Sequence, residues 1–126
     1  MEIHNAGKIV SVTTNTEIKS VLLGRQTEDP REVWLSHGKQ KYPTVNIVLM
    51  GERACLHYFP RERHPGFQSI GNRRDLVLGA TTVFLVPGNS IEIPNESIVT
   101  ITSCLAVAEE FLLSTELPKA IGWKEL

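Results

Sequence analysis

Residues 56–72, LHYFPRERHPGFQSIGN, gather the side chains of this sequence that chemistry most often uses: His57, Arg61, Glu62, Arg63 and His64, with the aromatics Tyr58, Phe59 and Phe67 among them. Imidazoles and a carboxylate are the raw material of a metal site or a proton relay. Arginines with aromatics suit stacked bases and phosphates, or the buried anchors of a protein interface. Each chemistry demands its own spacing, and most are not met. Zinc needs three or four converging ligands at short local spacings. The histidines fall at positions 4, 37, 57 and 64, with no such pair. His57 reads as a partly buried strand residue and His64 as exposed, so no metal and no cofactor is expected.

Covalent catalysis fares no better. A nucleophile needs a base that is itself oriented, and the chain has no G-x-S-x-G elbow. Cys55 and Cys104 sit among apolar neighbours, as free buried cysteines do. Gly66 and Gly71 are not followed by the Lys-Ser/Thr of a phosphate loop. Glu109 and Glu110 are adjacent on an expected helix and diverge. No catalytic residue is expected. Nucleic acid is a stronger candidate, since Arg61, Arg63, Arg73 and Arg74 accompany the aromatics, but Glu62 and Asp75 interrupt the track. A net charge of -1 and a pI near 6.4 also lack the long-range field of a basic binder. A small single-stranded nucleic-acid-binding module is therefore the alternative to a protein-binding surface.

These residues must be held by a framework. GKIVSVTT reads as a first strand. Thr14 and Glu17 have capping-box spacing, and Ile18, Val21 and Leu22 follow at helical intervals, with Gly24 as a stop. Five β segments come next: EVWLS, TVNIVLM, ACLHYF, TVFLV and SIEIP, the last two joined by a Pro-Gly turn. Val45, Ile47 and Leu49 share one face of TVNIVLM while Val48 and Met50 load the other, which marks a central strand. Ile91 and Ile93 alternate with polar residues, which leaves one wet face. Thr100 is the expected N-cap of a second helix carrying Ile101, Leu105, Ala108 and Leu112 on one stripe, with Phe111 beside it. Phe111, Pro118, Trp123 and Val83 are expected in the core. The order predicts an α+β fold: a mostly antiparallel sheet of about five or six strands with two helices packed on one face.

At 126 residues the chain fits a single domain, 1–126. No signal peptide or membrane-length apolar run is visible, so a cytoplasmic protein is expected. Charge is uneven: residues 51–78 are net +2 and residues 79–126 net -4.

The tail EEFLLSTELPKAIGWKEL, with its amphipathic helix, Pro118 and Trp123, resembles the C-terminal signature of the first-numbered family of bacterial polymorphic-toxin immunity proteins. Tyr58, Phe59 and the GFQSIGN segment, with Phe67, Ser69, Gly71 and Asn72, are similar to that family's central motif. Its members are often encoded beside deaminase toxins. The resemblance implies a non-catalytic protein that binds a cognate toxin domain, a deaminase, as a one-to-one heterodimer and covers its active site. On this reading Tyr58, Arg61, Glu62, Arg63, His64 and Phe67 would meet the toxin. Glu92 and Glu96 would face its basic residues, and neither nucleic acid nor membrane would be a partner.

Overall fold

The structure, a computed structural model, describes residues 1–24, 30–71, 75–86 and 88–126. Asn72, Arg73 and Arg74, most of the turn expected at 27–30, and Pro87 of the expected Pro-Gly turn lie outside the described residues. The elements run β1 (Glu2–Asn5), β2 (Lys8–Ser11), α1 (Asn15–Leu23), β3 (Arg31–His37), β4 (Gln40–Met50), β5 (Arg53–Phe59) and β6 (Phe67–Ile70). Then come β7 (Thr81–Val86), β8 (Asn89–Pro94), a 3-10 turn at Asn95–Ser97, β9 (Val99–Thr100), α2 (Ile101–Leu113) and β10 (Gly122–Glu125).

The main sheet is antiparallel, in the order β10-β6-β5-β4-β3-β1-β2, with β9 also paired to β5. Strands β7 and β8 form a separate hairpin. The α+β class is as expected, but the sheet holds more strands than five or six. The additional ones, β1, β6, β9 and β10, are four residues or shorter. Such segments are too brief to establish a period of two, and pairing with neighbours makes them strands.

Alternation assigns the faces. Val33, Leu35, Val45, Ile47, Leu49, Ala54, Leu56 and Tyr58 point to the helices, where Ile18, Leu22, Val107 and Phe111 complete one core. On the opposite face Val48 and Cys55 pack with Phe84, Ile93 and Ile98 beneath the hairpin. Strand β4 is thus central, as its pattern predicts, and around Val48 it is covered on both sides. Val83 departs from its expected place: it lies on the hairpin's outer surface, 44% exposed, because its neighbour Phe84 takes the inward position.

Both helix caps form. In α1 the Glu17 N–H donates to Thr14 Oγ1 at 3.2 Å, and the Glu17 carboxylate accepts from the Thr13 N–H and both threonine hydroxyls. These bonds, the Thr13 N–H foremost, hold the Glu17 carboxyl below its ordinary pKa. The Arg31 guanidinium donates to the Val21 and Leu22 carbonyls at the far end of α1, where a cation suits the helix dipole. In α2, Thr100 Oγ1 accepts from the Ser103 N–H at 3.1 Å. The buried stripe of α2 is Cys104, Val107, Ala108 and Phe111, while Ile101, Leu105 and Leu112 are only half-buried at its margin. This face is turned about one residue from the expected one, because Phe111 fills the space against Tyr58 and His37. Pro118 is buried and Trp123 half-buried, its indole donating to the Pro118 carbonyl at 2.7 Å. Among the described residues no helix is long and apolar enough to cross a membrane.

Candidate functional site

The 60–66 loop leaves the end of β5 and returns as β6. Its tip carries Arg61, Glu62 and Arg63, all exposed, and Arg63 adopts a left-handed φ of 66°. The base beneath the tip is fixed. His64 stacks on Phe67 with ring centroids 5.3 Å apart and planes 9° apart. Its Nδ1 accepts from the Gly66 N–H at 2.8 Å, and its Nε2 lies 3.0 Å from Glu125 Oε2 on β10. His64, expected exposed, is therefore largely covered, with 8% of its side chain accessible. Gly66, at φ 94°, has no room for a side chain: a Cβ there would meet the Phe59 ring at 2.9 Å.

Tyr58 is interior. It is 5% exposed, its ring touches Phe67, Phe111 and Trp123, and its hydroxyl donates to the Thr115 carbonyl at 2.6 Å. Glu92 and Glu96 are exposed. The Glu96 carbonyl accepts from the Gly71 N–H at 2.7 Å. Gly71 is separated from Phe67 by the length of β6, roughly 13 Å at the rise of a strand. The structure thus brings Arg61, Glu62 and Arg63 onto one support made by His64 and Phe67. It leaves Tyr58 in the core, and Glu92 stands on the β7–β8 hairpin opposite Val83.

The GFQSIGN segment is an architectural joint. The Ser69 hydroxyl, 1% exposed, accepts from the Leu56 N–H at 3.0 Å and donates to the Ser97 carbonyl at 2.6 Å. It thereby ties β5 to the 3-10 turn. A Cβ on Gly71 would sit 1.7 Å from the Ile98 oxygen, so the crossing requires glycine.

One surface went unnoticed in the sequence. The register places Ile9, His4, Trp34, Asn46, His57, Gln68 and Lys124 in one row across the sheet, on the face away from the helices. The hairpin covers only the neighbouring end of that face, over Val48 and Cys55. Around Trp34 the sheet is open. A groove of about 580 Å³ lies there, lined by His4, Trp34, Lys39, Lys41, Tyr42 and Phe59 among others. Phe59 stacks between Trp34, at 6.2 Å and 28°, and His57, at 6.1 Å and 16°. Trp34 is 39% exposed, and with His4 it also borders a second hollow of about 310 Å³. Period-two reading of EVWLS and ACLHYF carries part of this signal: Trp34 opposes Val33 and Leu35, and Phe59 opposes Tyr58.

His57 faces the open side of the sheet, whereas His64 rests on Phe67, a residue paired with helix-facing Tyr58. The two imidazoles do not converge, and among the described residues no three His, Cys, Asp or Glu side chains group as a metal site. Burial pushes the Cys104 thiol up to about 12 and raises that of Cys55, which keeps both protonated and unreactive. They lie in the cores on opposite faces of the sheet, both unpaired. Burial also lowers the His57 pKa.

The body thus carries a charged loop on a braced base and an open aromatic face. The comparison with known families names the class: toxin-directed immunity proteins. The sequence model of the family "Immunity protein Imm1" matches residues 8–125, nearly the whole chain, and the chain belongs to that family. Its partner is accordingly a cognate toxin. No curated protein matches the chain.

Proposed function

We propose that this immunity protein binds its toxin domain one-to-one, as a single domain in the cytoplasm of the cell it protects, and covers the toxin's active site. The toxin is a nucleic-acid deaminase, which acts on a base delivered into a pocket. The deaminase assignment rests on the likeness of the tail and the GFQSIGN segment to family members encoded beside such toxins. The chain itself performs no reaction.

The observation that carries the blocking mechanism is the exposed Arg61–Glu62–Arg63 tip on the base braced by His64, Phe67 and Glu125. A loop already fixed in shape loses little entropy on binding, so more of its contact energy becomes affinity. Its charges add association rate and partner selectivity. Arg61, Glu62 and Arg63 make the contact and His64 with Phe67 support it, while exposed Glu92 and Glu96 face basic residues of the toxin.

The test is to co-express the chain with the toxin encoded beside it, then measure rescue, sedimentation of the complex and base deamination by the purified toxin. Rescue, a one-to-one complex and loss of deamination are expected. A complex in which the toxin keeps full activity contradicts active-site cover. A toxin that is bound and blocked but deaminates nothing overturns the deaminase assignment alone.

A further inference from the structure

We infer that the toxin is anchored on the open half of the sheet, where the Trp34–Phe59–His57 stack and the lysines of the β3–β4 hairpin receive an acidic toxin segment bearing a projecting apolar side chain. This rests on the immunity reading and names the surface and the partner chemistry that serve it. One sheet face is divided in two. Beneath the hairpin, Val48 and Cys55 are sealed by Phe84, Ile93 and Ile98. In the other half, Trp34 is 39% exposed and His57, Phe59 and Tyr42 are only partly covered. Aromatic rings standing in a groove are the side chains that most often dominate binding energy at an interface.

The platform is preorganised. Asn46 donates to Glu32 Oε2 at 3.1 Å, and Thr44 donates to the Leu35 carbonyl at 2.7 Å. His4 Nε2 meets Ser36 Oγ at 3.3 Å. These polar groups are thus held within the chain, and a partner need not order them. A groove of about 580 Å³ exceeds the volume of one side chain and suits a short segment of polypeptide.

Charge selects the occupant. Among the described residues, the groove's lining carries Lys39 and Lys41 and no carboxylate, while Glu32, in the adjoining hollow, is engaged by the Asn46 amide. Arg61 and Arg63 stand on the loop that follows Phe59, with Glu62 between them. An acidic segment is favoured in the groove itself. The loop then lies beside the anchor, positioned to shade the active site while the groove holds the toxin. Nucleic acid fits less well: two lysines make no extended phosphate track, and the chain is net negative.

The test uses the full chain and an inactive form of the toxin domain encoded beside it, with dissociation constants measured at low and moderate salt. Trp34→Ala is expected to weaken binding at least thirtyfold. Lys39→Glu with Lys41→Glu is expected to weaken it at least tenfold and to flatten the salt dependence with the melting temperature unchanged, and Trp34→Ala is compared well below its own transition, because it also loses the stack on Phe59. Leu85→Ser, on the exposed outer face of the hairpin, is expected to bind as the parent does. Parent-like binding by both groove variants, with binding lost in Arg61→Ala/Arg63→Ala or Leu85→Ser, overturns the groove assignment and leaves the immunity reading standing. Failure of the unaltered chain to bind the toxin overturns both. Retention of a single-stranded oligonucleotide that the groove variants lose overturns the protein partner in favour of nucleic acid.

Discussion

Tyr58 separates folding from recognition, because it sits at the foot of the loop yet faces inward. Tyr58→Phe keeps the ring against Phe67, Phe111 and Trp123 and deletes only the hydroxyl that donates to the Thr115 carbonyl at 2.6 Å. Such a bond contributes about 0.5–1.5 kcal/mol net, and exposed Thr115 lets water take its place. An unfolding entropy of about 2.1 cal/mol/K per residue gives roughly 265 cal/mol/K for this chain, so the loss lowers the melting temperature by about 2–6 °C. Tyr58→Ala removes the ring from a full contact set and costs about 3–5 kcal/mol, or roughly 11–19 °C. The assay pairs thermal melting with toxin affinity measured well below either transition. Affinity of the Phe variant is expected within about twofold of the parent, since the hydroxyl never reaches the surface and a twofold change is only ~0.4 kcal/mol. A Phe variant that melts like the parent but binds tenfold more weakly would refute the reasoning, for it would put Tyr58 in the interface.

Three further outcomes follow from the geometry. Gly71→Ala forces the Ile98 carbonyl to move and should cost about 1–3 kcal/mol or more, read from the denaturation midpoint; an unchanged midpoint contradicts the close crossing. Cys55 and Cys104 should react with a thiol reagent only as fast as the chain opens, and rapid labelling of the native protein would place a thiol outside the core. Burial lowers the folded-state pKa of His57, so the unfolded chain takes up that proton first. Stability from this residue is complete above about pH 6.5, the unfolded value, and declines as pH falls from there toward the folded value. His57→Gln should flatten that decline, and an unaltered pH profile would contradict it.

The long, regular elements were legible before the structure, the surface less so. Thr14 with Glu17, and Thr100, announce both helices because a cap is a local bond between residues three apart. Strand β4 declares itself central by carrying apolar side chains on both faces. Tyr58 is buried although the family likeness puts it at the toxin surface. Successive strand residues point opposite ways, so Tyr58 enters the core and Phe59 joins the groove. Trp34 carried a signal of the same kind in EVWLS. No local pattern reveals the open groove itself, because it exists only where a hairpin some forty residues downstream stops short of covering the sheet.

The chain's two tryptophans report on the two ends of this account: Trp34 stands in the groove, and Trp123 is pinned to Pro118 in the tail. Fluorine NMR of the 5-fluorotryptophan-labelled chain, titrated with unlabelled toxin domain, reads both at once. The Trp34 resonance is expected to move and reach its plateau at one equivalent while that of Trp123 stays in place. A complex that forms by sedimentation yet leaves the Trp34 resonance where it began would contradict the groove assignment.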